Sequence, residues 1–175
     1  MKPIILPYKG VMPKIADDVF VAPDAVIIGD VEIGSKTNIW FGCVIRGDVN
    51  TIRIGEKTNI QDGTVIHVTR KTGPTKIGSG VTIGHRALLH ACTLEDNSFI
   101  GMHATVMDGA VVESGGMVAA GALVAPNKKV PEGQIWGGNP AKFLRDMKQE
   151  EKDFIAISTD NYVRLAEEYK QENNL

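Results

Sequence analysis

The strongest constraint in this chain is a period of six. Aliphatic residues recur at Ile15, Val21, Ile27, Ile33, Ile39 and Ile45, then at Ile54, Ile60 and Ile66, then at Ile77, Ile83 and Leu89, and finally at Leu94, Ile100, Val106, Val112, Val118, Val124 and Val130. Neither the 3.6-residue helix nor a simple two-residue alternation accounts for it; a short strand closed by a tight turn does. Gly34, Gly55, Gly78, Gly84 and Gly101 each follow a marked aliphatic directly, where a turn needs a positive φ or close backbone approach. Three such strands make a triangular coil of about 18 residues, stacked on the next at about 4.8 Å with one aliphatic per strand pointing inward. The sequence therefore predicts a parallel β-helix of about six coils over residues 1–140.

The repeat is broken in three places, and the breaks cluster. Three extra residues fall between Ile45 and Ile54, within RGDVNTIRI, and five between Ile66 and Ile77, within HVTRKTGPTKI. Ile45 and Ile66 are three repeats apart, so both insertions leave the same corner of adjacent coils. One residue is missing between Leu89 and Leu94, which should pinch the turn there. Loops leaving one edge of a regular scaffold are where function usually sits. After Val130 the period ends at PEGQIWGGNPAK, and residues 141–175 are rich in helix formers with apolar faces. One or two helices folded back on the solenoid are expected, interrupted or capped at Ser158-Thr159-Asp160. Free β-helix ends expose unpaired strand edges, so a cap is needed.

Composition narrows the function classes. The chain has 175 residues and a formal net charge of −2, with no basic excess to bind nucleic acid. Its apolar runs are far shorter than a membrane-spanning helix needs, and MKPIILPYKG has neither the apolar stretch nor the cleavage site of a signal peptide. Cys43 and Cys92 are too few for a disulfide framework, and a cytoplasmic location is expected.

The register also sorts the four histidines. His67 follows Ile66 and His90 follows Leu89, one full coil later, so the two occupy the same place on neighbouring coils and point the same way. Two ligands of one metal ion stand in this relation. Arg46, after Ile45, belongs to the same column one coil earlier. His85 lies two places after Ile83, on another face, and completes a three-histidine site only from a neighbouring molecule. A three-fold trimer would carry such sites at its interfaces. Three neutral imidazoles with one open position form the catalytic zinc arrangement, which makes hydroxide available at neutral pH; iron or cobalt also suit the donor set. Asp62, two after Ile60, should stand beneath His85, and Arg46 is suited to pair with it across a subunit boundary. His103, offset by one place from His85, is expected to point elsewhere.

The hexapeptide series, the turn at Arg46-Gly47-Asp48, the NIQDGTVIH run at 59–67, the IGHRALLH run at 83–90 and the WGGNPAK ending together resemble the γ-class carbonic anhydrases. The resemblance spans nearly the whole chain, and the spacing H-x17-H-x4-H is specific. It implies a left-handed β-helix, a homotrimer and reversible hydration of CO2 to bicarbonate by hydroxide generated at a zinc ion. It carries metal ligation onto His67, His85 and His90, with the first and third from one subunit and the second from its neighbour. It places Arg46, Asp48 and Asp62 in the interface and active-site network, gives Gln61 the task of orienting hydroxide or CO2, and brings Tyr162 of DNYVRLAEEY toward the site. One departure is clear. The most active members carry an acidic loop after the first histidine, whereas residues 68–76 here read VTRKTGPTK and Val49 replaces an acidic neighbour of Asp48. The chain thus resembles the shorter subclass, which includes slow and undetectable hydratases.

Two other classes fit the same scaffold. One is an acyl-CoA-dependent transferase or thioesterase with a single histidine as general base and Lys128, Lys129, Lys142 and Arg145 near the CoA phosphates. The other is a metal-binding scaffold without catalysis. The stacked pair His67 and His90, with His85 offset, favours the metal over the acyl-CoA chemistry.

Overall fold

The computed structural model describes residues 2–173. The chain winds into a left-handed parallel β-helix of about seven turns, followed by a single C-terminal helix. Each coil presents three faces. On the first face the inward residues Ile27, Ile45, Ile66, Leu89, Val106 and Val124 stack in register, and on the second Ile33, Ile54, Ile77, Leu94, Val112 and Val130 do the same. The third face stacks Val21, Ile39, Ile60, Ile83, Ile100 and Val118. All the six-residue marks are buried except Ile15 and Val21, which belong to the first coil, where nothing stacks beneath them.

The glycines that follow inward aliphatics serve the stacking rather than the turn. Gly34 and Gly55 have ordinary backbone dihedrals, but a Cβ on Gly34 would lie 2.8 Å from the Gly55 carbonyl carbon and one on Gly55 2.6 Å from that of Gly78. Consecutive coils touch backbone to backbone at this corner, and a side chain there would push them apart.

The three irregularities share the corner between the first and second faces; the spacing predicts this for the two insertions. The strand Val44–Ile54 absorbs the first insertion by running round the corner, pairing with Val65–His67 on one face and Thr75–Ile77 on the next. The second insertion folds into a small loop closed by backbone bonds between Thr69 and Gly73. The missing residue pinches the turn at Ala91, which is driven to φ 48°.

The C-terminal segment differs from the sequence expectation in two ways. Lys142–Asp146 is not helical; it pairs antiparallel with Gln134–Gly137 and covers the upper edge of the third face, which supplies the needed cap. The helix, Gln149–Asn173, then runs without a break through Ser158-Thr159-Asp160. The two hydroxyls that were expected to end it are buried and satisfied: Ser158 pairs with Thr82 at 3.2 Å, and Thr159 donates to the Ala156 carbonyl at 2.9 Å. Its 25 residues span about 37 Å, close to the roughly 34 Å of seven stacked coils. It therefore reaches the first coil, where Lys170 donates to the Asp18 carbonyl at 2.7 Å. Among the described residues no helix is long and apolar enough to cross a membrane.

Candidate metal centre

The strands Val65–His67 and Leu88–His90 lie side by side on the first face, with Ile66 opposite Leu89 and His67 opposite His90. Alternation along a strand sends Ile66 and Leu89 into the core and the following histidines outward. The two rings sit with centroids 5.2 Å apart, and His67 Nδ1 is 3.3 Å from His90 Nε2.

Each ring is held from behind by a carboxylate. His67 Nε2 lies 3.0 Å from Asp48 Oδ1, and His90 Nδ1 lies 2.8 Å from Asp108 Oδ2. Arg46, in the same column one coil earlier, bonds to the other oxygen of Asp48. Burial pushes the Asp48 carboxyl up, but hydrogen bonds from His67 and Arg46 outweigh it and hold it below the usual carboxylate range. Asp108 is held low chiefly by the Thr69 hydroxyl, with His90 adding to it against the effect of burial. Both acids thus stay ionised and accept the ring protons facing them. In the neutral form of both rings the opposite nitrogens carry lone pairs that confront each other across 3.3 Å. A cation between them resolves that conflict. Two nitrogens bound at 2.0–2.1 Å to one tetrahedral ion are about 3.3–3.4 Å apart, so the pair fits zinc and similar divalent ions.

His85 stands apart from this pair. It follows Ile83 on the third face, and its Nδ1 lies 2.8 Å from Asp62 Oδ2, so Asp62 does sit beneath it. Among the described residues no three metal-ligating side chains converge within one chain. Within the chain, Arg46 is engaged by Asp48 and Asp62 by His85. His103 sits one coil on and donates its backbone N–H to the His85 carbonyl at 2.9 Å.

His85 opens onto a cavity of about 370 Å³ that it shares with Gln61, Thr82, Met102, Ser158 and Tyr162. Gln61 is buried, and its Nε2 donates to Asn59 Oδ1 at 3.0 Å; Asn59 in turn donates to Thr82 at 2.9 Å. Tyr162 is half-buried, edge-on to Trp40 with centroids 5.6 Å apart. Burial and the nearby Asp62 raise its phenol pKa. Of the basic groups considered for CoA phosphates, Lys129 is paired with Glu113 and Arg145 with Glu151, each at 2.7 Å.

Sequence reasoning missed Asp108, Thr69 and Asn50. Asp108 lies two places after Val106, which pairs with Leu89, and so falls one place past the register of the histidines, where the column argument did not reach it. Thr69 bonds to it, and Asn50 holds the Thr69 carbonyl at 3.0 Å.

Residues 12–47 match the family model described as bacterial transferase hexapeptide (six repeats). Gamma carbonic anhydrase 2, mitochondrial, of Arabidopsis thaliana is 53% identical over 93% of this chain and 60% of its own length. The carbonic anhydrase of Geobacillus kaustophilus is 40% identical over 95% of this chain and 91% of its own. A crystal structure of a hexapeptide transferase family protein from Anaplasma phagocytophilum superposes with a TM-score of 0.92 at 51% identity, covering 95% of this chain and 98% of that one. The chain spans about 60% of the length of the plant relatives it matches.

Proposed function

The chain belongs to the γ-carbonic-anhydrase family of hexapeptide-repeat proteins, and on that premise we propose that it is a metal-dependent enzyme interconverting CO2 and bicarbonate at sites shared between the subunits of a homotrimer. The observation that carries the reading is the pair of carboxylate-backed imidazoles whose other nitrogens, Nδ1 of His67 and Nε2 of His90, face each other at 3.3 Å. His67 and His90 would hold a zinc ion, or iron or cobalt in its place, with His85 of a neighbouring subunit as third ligand. A bound ion of this kind supplies the Lewis acidity that makes hydroxide available at neutral pH.

The chain's own residues do the positioning. Arg46 fixes Asp48, which fixes the His67 ring. Asp62 stands 2.8 Å from Nδ1 of His85, which leaves its Nε2 as the nitrogen that would ligate. Gln61 has its amide nitrogen tied to Asn59, so its carbonyl oxygen is the group offered to the cavity, where it accepts a hydrogen bond from the attacking water or hydroxide. Tyr162 walls the same cavity from the helix side.

Support for the trimer comes from the surface around the histidines. Val65 and Leu88, which precede His67 and His90 by two, are each 38% exposed, and Met102 and Phe154, which line the His85 cavity, are more exposed still. Such apolar side chains beside polar site residues are characteristic of covered interfaces. Residues 68–76 offer no acid to carry the proton away, so hydration is expected to be slow and to rise with the concentration of an added imidazole buffer. Cys43 and Cys92 are buried and unpaired, in keeping with a reducing compartment such as the cytoplasm.

The test is metal analysis beside stopped-flow CO2 hydration on one anaerobic preparation, reconstituted with zinc or cobalt. About one ion per subunit, with hydration that disappears on chelation, is the expected result. A stoichiometry near zero overturns the metal. Bound metal with no hydration leaves a metal-binding scaffold, and hydrolysis or transfer of acyl groups from CoA instead points to the alternative enzyme class.

A further inference from the structure

Asp108 stands outside every motif that marks the site. Its coil carries neither of the paired histidines, and its two oxygens diverge onto two different coils. Oδ2 receives the Nδ1 proton of His90 at 2.8 Å, and Oδ1 receives the hydroxyl proton of Thr69. Thr69 is the first residue of the small loop, which closes on itself through Thr69 N–H to Gly73 C=O at 2.8 Å and Gly73 N–H to Thr69 C=O at 3.3 Å. The Thr69 carbonyl also accepts from Asn50 Nδ2 at 3.0 Å, and Thr75, at the far end of the loop, donates its hydroxyl to the His67 carbonyl at 2.6 Å. Side chains from three different coils therefore converge behind the two rings. The loop is also packed against the pinched turn: a Cβ on Gly73 would lie 2.7 Å from the Ala91 Cβ and 2.9 Å from the Thr69 Cβ.

We propose that Asp108 is a positioning residue that fixes His90 as a ligand and, through Thr69, clasps the loop at residues 69–73 against the site, so that metal affinity and loop order are coupled. The inference rests on the metal reading of His67 and His90. The physical logic is that a ligating imidazole must have a defined tautomer and ring angle, and a carboxylate at its far nitrogen supplies both. Asp108 itself would swing about its own side-chain bonds if His90 were its only partner. The Thr69 hydroxyl on the second oxygen stops that rotation, and the loop's own bonds stop Thr69. Ordering the ring from one end orders the loop from the other, and an ion that holds the ring holds both.

The experiment uses the full-length protein and three readouts: zinc affinity by chelator competition, the visible spectrum of the cobalt form, and tryptic cleavage after the exposed Arg70 and Lys71 at the loop tip. Asp108→Asn keeps the shape of the side chain but cannot accept at both ends. It is expected to weaken zinc binding about 10–100-fold, to alter the cobalt spectrum, and to speed cleavage on the order of tenfold. Thr69→Val keeps the carboxylate on His90 and frees the loop. It is expected to speed cleavage similarly while changing zinc affinity only about 2–5-fold. Zinc should slow cleavage in the wild type and lose most of that effect in Thr69→Val. Wild type that takes zinc while Asp108→Asn binds it equally well, with the same spectrum, overturns the assignment of Asp108 alone. Unchanged cleavage in Thr69→Val overturns the clasp. Wild type that takes no zinc overturns the metal reading and the coupling with it.

Discussion

Gly47 stands between Arg46 and Asp48 with no room for a side chain. A Cβ there would lie 2.6 Å from the Asp30 carbonyl oxygen and 3.2 Å from a Val31 methyl, and the first of these is backbone that cannot rotate away. Gly47→Ala should therefore cost about 1–3 kcal/mol of stability, seen as a lowered thermal midpoint. It should also displace the Arg46–Asp48 pair and so weaken metal binding more than its distance from the histidines suggests. A midpoint and an affinity both equal to wild type contradict this account. The glycine was visible in the sequence as the centre of a motif, but the reason for it lies in the adjoining coil. The same holds for the site as a whole. His67 and His90 were legible because a strict period puts both one place after an inward aliphatic. Asp62 was legible beneath His85 for the same reason. Asp108 was not, since an acid two places past an inward valine is a common solvent-facing choice. What singles it out is its contact with His90 at 2.8 Å, which the spacing does not contain.

The helix shows what element-scale patterns do and do not contain. Its helix formers are plain in the sequence, whereas its continuity through Ser158 and Thr159 depends on Thr82, 76 residues earlier, as a hydroxyl partner. Its start is set by Glu151, whose carboxylate takes two bonds of 2.7 Å from Arg145 and one of 2.9 Å from the Lys148 backbone N–H. These contacts close the first turn against the edge strand Lys142–Asp146 in the manner of a capping box. The Arg145 side chain is the larger cause that brings the Glu151 pKa from an ordinary 4.5 to about 2, with the Lys148 amide adding to it. A depressed acid contributes its stabilisation in full above the unfolded value and loses it as pH falls through the folded one. The window is thus from pH 4.5 down to about 2. Glu151→Gln should lower the thermal midpoint modestly at pH 7 and should flatten its fall across that window. Melting curves at pH 7, 4 and 3 check it, and a variant whose acid dependence equals that of the wild type overturns the assignment.

For the whole molecule, the solenoid was almost fully readable, because each coil repeats the same instruction and errors in one repeat do not propagate. The proposal of an assembly rests on a mismatch: two histidines on one face and a third on another. Ligand sharing across the boundary can be tested with two defective chains. His67→Ala and His85→Ala homotrimers each lack one ligand in every site. In a mixed trimer, a His85→Ala chain that offers His67 and His90 to a His67→Ala neighbour offering His85 makes one complete site. The opposite boundary lacks two ligands, and the boundary between like chains lacks one. Every mixed trimer, of either composition, therefore regains one site in three. Equal amounts exchanged at random give about three quarters mixed trimers, so about one quarter of the wild-type metal should return. His67→Ala mixed with His90→Ala should recover nothing, because those two ligands must come from the same chain. Equal recovery from both mixtures, or none from the first when exchange of labelled subunits is complete, would show that the ligands are divided between the chains in some other way.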